Sequence, residues 1–262
     1  MHVLITGAAG GIGTMLRELL PGHGHTLRLA DLRPIPDTDS LVFDLRDSAA
    51  VRAAVRGVDA VVHLGGISVE DSFANILGAN IQGSYELYEA VRAEGVGRVV
   101  YASSNHAVGY TPLDSPEPIG TDIPSRPDTY YGLSKVFGEG LASLYADKYG
   151  VQTVSIRIGS CFPEPRSARA LATWLSPGDC ARLIHAALTA PEVGHTVVNG
   201  ISANTRAWWD LSGARKLGYQ PQDDAEAYAD RLPPLDPDSP DARLLGGGSP
   251  RSDPTAARSG VR

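Results

Sequence analysis

Val3-Leu4-Ile5-Thr6-Gly7-Ala8-Ala9-Gly10-Gly11-Ile12-Gly13 is an apolar strand running into three glycines at every third position, Gly7, Gly10 and Gly13. A helical pattern from Thr14 to Leu20 follows at once. Glycine allows a tight turn and lets backbone approach a pyrophosphate closely, while the start of the helix offers unpaired N–H groups and a positive dipole end. Gly11 and Ile12 lie in the same turn and complete the candidate cradle. The spacing is G-x-x-G-x-x-G rather than the G-x-G-x-x-G fingerprint, but the physical demand is the same.

Outward from this turn, short apolar strands alternate with helical stretches. Strands are expected at Leu27–Ala30, Leu41–Phe43, Ala60–Leu64, Arg98–Ala102 and Thr153–Ile158. Helices are expected at Ser48–Arg56, Phe73–Glu94 and Tyr130–Tyr149, with a long Pro- and Gly-rich loop over Val108–Thr129. Near-continuous apolar strands joined by helices imply a parallel sheet covered on both faces. Right-handed crossovers make it an α/β, doubly wound, Rossmann-type sheet. Residues 1–158 are expected to form this dinucleotide-binding core. Beyond Gly159 the pattern thins to a helix near Pro177–Thr189, a strand near Thr196–Asn199 and the stretch carrying Trp208 and Trp209. Residues 159–231 therefore read as a small substrate-binding subdomain packed on the core. Residues 232–262 are rich in Pro, Asp and Gly and read as a disordered tail.

Composition narrows the function. Of 262 residues, 42% are hydrophobic and 20% charged, which excludes wholesale disorder. A formal net charge of −7 argues against nucleic acid or an anionic membrane as partner. Two cysteines make neither a disulfide framework nor a Cys-based zinc site, and the His and acidic residues show no metal-ligand spacing. No apolar run approaches the roughly 20 residues that span a bilayer. A cytoplasmic protein is expected, with no nucleic-acid or membrane partner.

Several residues carry chemistry. Asp31 ends the second strand, where a carboxylate accepts both adenosine-ribose hydroxyls and repels a 2′-phosphate, which favours NAD over NADP; Arg33 nearby weakens that inference. Asp44 either contacts the adenine amino group or caps a helix. Leu45 beside it, and Leu64 with Gly65 at the end of the fourth strand, join the cofactor candidates. Tyr131 and Lys135 stand four apart on one helix face. Alcohol oxidation needs a base for the hydroxyl proton, and a free Tyr, with a pKa of about 10, is too weakly acidic unless a cation such as Lys135 favours its phenolate. Lys135 can also hold the nicotinamide ribose. Ser103-Ser104-Asn105-His106 follows the fifth strand and faces the ligand crevice of a doubly wound sheet. Asn80 also joins the cofactor candidates; its alternative is an ordinary polar helix residue.

The glycine turn followed by Tyr131-Gly132-Leu133-Ser134-Lys135 resembles the extended branch of the short-chain dehydrogenase/reductase superfamily. The resemblance implies Ser104 as the catalytic serine beside Tyr131 and Lys135, with Ser103 a structural neighbour. Asn80 with Gly83 forms an N-x-x-G spacing that resembles a superfamily element organising the active site. Five further stretches resemble the uronate dehydrogenases: His63–Glu70, Ala102–His106, Arg157–Cys161, Pro163-Glu164-Pro165, and Thr173-Trp174 with Trp208-Trp209. This resemblance reaches from the N-terminus to about Asp230. It implies oxidation of C1 of cyclic D-glucuronate or D-galacturonate by NAD to an aldarolactone, in a homo-oligomer. It also implies that Ser68, Ser104, Asn105, His106, Tyr131, Ser160 and Arg169 line the sugar site. Arg169 suits a carboxylate, with Arg166 its rival.

His63, Cys161, Cys180, Trp208 and Trp209 read as packing residues, with one of Trp208 and Trp209 alternatively a wall of the pocket. The rival enzyme reading is a nucleotide-sugar epimerase or dehydratase, which ordinarily carries a larger C-terminal part. A non-catalytic NAD-sensing regulator is the rival from another class; such proteins ordinarily lose the Tyr–Lys pair that is present here.

Overall fold

The computed structural model describes residues 1–248. In chain order the elements are β1 (His2–Thr6), α1 (Gly11–Leu19), β2 (Thr26–Asp31), β3 (Leu41–Val42), α2 (Ser48–Val55), β4 (Ala60–His63), α3 (Phe73–Ile76), α4 (Gly83–Glu94), β5 (Arg98–Ser104), α5 (Tyr130–Tyr149), β6 (Gln152–Ile158), β7 (Ser160–Cys161), α6 (Ala170–Thr173), β8 (Trp174–Leu175), α7 (Pro177–Thr189), β9 (His195–Gly200), α8 (Ser212–Lys216) and α9 (Pro240–Arg243). Seven strands pair in the order β3-β2-β1-β4-β5-β6-β9, every pair parallel. The order reverses between β1 and β4, so a crevice opens there beyond the strand ends.

Two apolar layers hold the sheet. Alternation along β1 sends Val3 and Ile5 to the face covered by α1 and α7, and Leu4 to the face covered by α2, α4 and α5. The expected long helix over 73–94 is α3 and α4 joined by a single π-helical turn, Leu77–Gln82. Such turns recur at functional sites because they rotate one side chain out of helical register. Asn80 lies in this turn and is 3% exposed.

Two expected boundaries move. Residues 159–231 do not form a unit apart from the core: β9 extends the main sheet through six paired positions with β6, and α7 packs into the first apolar layer. The strand expected near Thr196–Asn199 is this edge strand, and its pairing with β6 and the burial of Val198 make it part of the core sheet. Among the described residues only a small outboard cluster, Leu171, Trp174 and Ala225, is separate. The expected disordered tail also needs correction, because residues 232–248 are structured. Leu245 is fully buried, Leu113 N–H donates to Arg243 O, Leu245 N–H to Thr111 O and Gly246 N–H to Gly109 O, each at 2.9 Å. One buried Leu and a ladder of backbone bonds dock this segment, and composition registers neither. The remainder of that tail expectation, 249–262, lies outside the described residues.

His63 is a packing residue, as its sequence context implies. Its Nδ1 lies 2.7 Å from Thr6 Oγ1 and its Nε2 3.2 Å from Ser84 Oγ, and burial pushes its pKa down to about 3. Cys180 and Trp209 are buried in the same core.

Candidate active site

A cleft of about 960 Å³ opens at the strand-order reversal. Gly7, Gly10, Gly11, Ile12, Gly13, Asp31, Asp44, Leu45, Leu64 and Gly65 line it, as do Ser68, Ser104, Asn105, His106, Tyr131, Lys135 and Ser160. The cofactor, catalytic and substrate candidates thus share one cavity, apart from Asn80 and Arg169, which do not line it.

Gly7 sits at φ +71°, and a Cβ there would stand 2.8 Å from Gly65 N and Leu64 C. A Cβ on Gly13 would lie 2.7 Å from Ala8 Cα. Backbone therefore meets backbone at both positions, and only glycine fits. Among the described residues no side chain caps α1 at Gly10, so the amides of its first turn can meet an anion. Asp31 Oδ2 accepts the Ala9 N–H at 2.9 Å and Oδ1 accepts the Arg33 N–H at 3.0 Å, which locks the carboxylate beside the glycine turn. This set fits a dinucleotide: a glycine cradle for the pyrophosphate and a fixed acid for a ribose diol. Asp44 is engaged by Arg46, which donates to Oδ2 at 2.6 Å and holds its carboxyl below the usual range.

The chemistry lies at the start of α5. Thr129 caps the helix, accepting the Gly132 N–H at 2.8 Å, and the two carboxylate oxygens of Glu70 accept the Tyr130 and Tyr131 N–H groups, both at 3.1 Å. Tyr131 and Lys135 then share a face one turn apart. Lys135 Nζ stands 5.3 Å from the Tyr131 ring centroid and 5.1 Å from that of Tyr101. Burial pushes the Lys135 pKa down to about 8, against the pull of Glu139. Burial also pushes the Tyr131 hydroxyl up; a hydrogen bond with Ser104 opposes this and the charge of Asp128 adds to it. The lowering of Tyr131 that sequence suggests is not found: burial raises the hydroxyl instead. Ser103 is structural: its hydroxyl donates to Glu139 at 2.6 Å, and Glu139 is paired with Arg157 at 2.8 Å.

Two candidates are placed differently from expectation. Asn80 Oδ1 accepts the Ile67 N–H at 2.8 Å, and its Nδ2 donates to Ile67 O at 2.9 Å and Ser134 Oγ at 3.0 Å. It pins the Gly65–Ser68 loop to α5 from behind instead of touching the cavity. The Arg169 guanidinium donates to Asp241 O at 2.9 Å, to Leu244 O at 3.0 Å and to Leu245 O, and it stacks 4.9 Å from the Trp208 ring centroid. Burial pushes its pKa down to about 10. It binds the C-terminal segment, whose order the composition did not suggest. Arg166 lies 4.0 Å over the ring of Phe162, which does line the cleft.

Sequence reasoning missed Asp128, Glu70 and Arg46. Arg46 two residues after Asp44 was a readable pairing; the other two act across 22 and about 60 positions, which no local pattern encodes.

A family model described as the NAD dependent epimerase/dehydratase family matches residues 3–176. The chain is 50% identical over 232 residues to a uronate dehydrogenase of Pseudomonas putida, covering 87% of this chain and 86% of that protein. The crystal structure of uronate dehydrogenase from Agrobacterium tumefaciens is 48% identical, with a TM-score of 0.91 and 97% of each chain covered. A mutant of that enzyme complexed with NAD superposes with a TM-score of 0.91 at 47% identity, covering 97% of this chain and 98% of that one.

Proposed function

This chain belongs to the NAD dependent epimerase/dehydratase family and, within it, to the uronate dehydrogenases, and on that premise we propose how its cleft oxidises a hexuronate with NAD. The observation that carries the reading is the single cavity that joins the glycine turn and Asp31 to Tyr131, Lys135 and Ser104. Gly7, Gly10, Gly11, Ile12 and Gly13 hold the pyrophosphate, Asp31 the adenosine ribose, and Asp44 with Leu45 the adenine. Leu64 and Gly65 border the dinucleotide, Lys135 holds the nicotinamide ribose, and Asn80 acts from behind through the Gly65–Ser68 loop. When bound, NAD supplies the hydride acceptor and the positive charge of its oxidised ring.

Tyr131 takes the proton of the C1 hydroxyl of cyclic glucuronate or galacturonate, Ser104 donates to the reacting oxygen, and the product is the aldarolactone. Ser68, Asn105, His106 and Ser160 read the ring hydroxyls. Arg169 serves the sugar carboxylate; it stands outside the cleft lining with its guanidinium on the carbonyls of Asp241, Leu244 and Leu245, so this role requires it to turn donors from them to the sugar. The test is NADH absorbance on mixing protein, NAD and galacturonate. Stoichiometric NADH supports the reading; none with either uronate overturns it. An epimerase would return its hydride and accumulate no NADH.

Asp31→Ala removes two ribose acceptors and the repulsion of a 2′-phosphate. NAD should bind about tenfold or more weakly, the scale of one or two lost charge-assisted hydrogen bonds, while NADP binding improves relative to it. An unchanged NAD-to-NADP ratio of kcat/KM would remove Asp31 from the role of reader.

A homo-oligomer fits one further feature. Tyr130, Leu133, Phe137 and Leu144 form an exposed stripe along α5, and Phe73 from α3 meets Tyr130 edge-on at 5.5 Å between centroids. Exposed apolar stripes of this kind mark association surfaces. Light scattering at the monomer mass would exclude it. No helix of the described residues is long and apolar enough to cross a membrane. We place the enzyme in the cytoplasm, with its dinucleotide; recovery from cells in the membrane or secreted fraction would refute that.

A further inference from the structure

Asp128 has no part in the mechanism above, yet its side chain is completely buried beside it. Both carboxylate oxygens stand 3.0 Å from His106 Nδ1, and Thr129 Oγ1 donates to Oδ1 at 3.2 Å. The slot around the carboxylate is made by two glycines: a Cβ on Gly109 or on Gly246 would overlap Oδ2. Arg169 and Tyr131 also feel its charge. His106, in contrast, reaches the cleft: its side chain is 22% exposed, its ring stands edge-on to Tyr131 at 5.8 Å between centroids, and its backbone N–H donates to Ser104 Oγ at 3.2 Å.

A carboxylate accepts hydrogen bonds and donates none, so the His106 Nδ1 facing it must carry the proton. The hydrogen bond at one ring nitrogen fixes the state of the other. A His106 ring that carries a single proton, held on Nδ1, presents a bare Nε2. We propose that Asp128 is a positioning residue that holds His106 in the Nδ1–H tautomer, turning Nε2 toward the cleft as an acceptor for a hydroxyl of the sugar. This rests on the hexuronate reading of the cleft. It goes further in assigning the direction of the hydrogen bond: the substrate hydroxyl donates and His106 accepts. Ser104, two residues before His106, remains the donor to the reacting oxygen, so groups close together in the cleft offer opposite polarity to the sugar hydroxyls.

The first measurement needs neither substrate nor variant. Long-range ¹⁵N–¹H correlation spectra of the histidine side chains, in the parent protein with NAD, read the tautomer of each neutral ring, with His106→Gln used to assign the signal. The expected result is an Nδ1–H tautomer at His106. An Nε2–H tautomer overturns the proposal. In the second measurement Asp128→Asn preserves shape but offers either an acceptor or a donor to Nδ1, which frees the ring to exchange tautomers. The His106 spectrum should shift toward Nε2–H, and KM for galacturonate should rise about five- to tenfold, the scale of one lost hydrogen bond. The Kd for NAD should not move, nor should Tm. An unmoved sugar KM overturns the proposal, as does an equal weakening of NAD and sugar with a fall in Tm, the mark of a structural role alone. If neither uronate is oxidised, the hexuronate reading fails by itself, and the tautomer spectrum of the parent still decides what Asp128 does to His106. The same spectrum decides the matter if Asp128→Asn does not fold.

Discussion

Tyr131→Phe is expected to lower kcat for hexuronate oxidation by at least about a hundredfold, the lower end of what a positioned general base contributes, with Kd for NAD within a few-fold of the parent. The substitution removes one oxygen and leaves the ring that packs beside Lys135 and His106. Fold and cleft should therefore survive, and the loss should fall on kcat. The pH profile of the parent supplies the companion result. Burial holds the Tyr131 hydroxyl above its ordinary value, so at pH 7 it is a neutral phenol in the free protein. Turnover should rise with pH as the phenolate becomes accessible. The rise should flatten near pH 8, where Lys135 loses the charge that favours the phenolate. The Phe variant, having no phenol to titrate, should lose the rising limb. Near-parental kcat in that variant would end the assignment of Tyr131 as base.

The sequence made local devices legible and left opaque those that act at a distance. A turn with glycines every third residue, strands apolar on both faces and a Tyr–Lys pair one helical turn apart are short-range patterns. Each survives in the structure: the cradle at Gly7 and Gly13, the parallel order of β1, β4, β5 and β6, and the shared face of Tyr131 and Lys135. Asn80 was legible as an organiser, but only the π-helical turn shows that it works through Ile67 and Ser134. Asp128 was invisible. In sequence it is one acid in a Pro-rich loop before a helix, and its partner His106 lies 22 residues earlier. The C-terminal segment misled for a related reason. Its docking uses backbone groups and one Leu, so a count of apolar residues undervalues it.

Ending the chain after Asp230 is therefore expected to damage the enzyme, although the composition of the tail suggests that it is dispensable. The cut removes Leu245, whose complete burial stabilises the fold by about 1.5–3 kcal/mol, and the backbone bonds from Arg243, Leu245 and Gly246 to the loop at 109–113. For a chain of this size each kcal/mol moves Tm by roughly 2–4 °C, so a fall of about 5 °C or more should follow. Activity should suffer beyond that. Asn105 Nδ2 donates to Leu245 O at 3.0 Å, and the Arg169 guanidinium donates to three carbonyls of the same segment. Without the segment both proposed sugar-binding side chains lose the partners that fix them. KM for galacturonate should rise by about tenfold or more, while NAD, held by the glycine turn and Asp31, binds as before. A chain ending at Gly248 keeps every one of these contacts and is the control. Leu245→Ala separates the two effects: it empties the Leu pocket, at a destabilisation of about 2–5 kcal/mol, but leaves the main-chain carbonyls in place for Arg169 and Asn105. It should lower Tm with a smaller change in the sugar KM than truncation gives. If the chain ending at Asp230 matches the control in both Tm and sugar KM, the segment packs on the enzyme without serving it. If Leu245→Ala raises KM as much as truncation does, burial of Leu245, and not the carbonyl contacts, is what keeps the sugar site in shape.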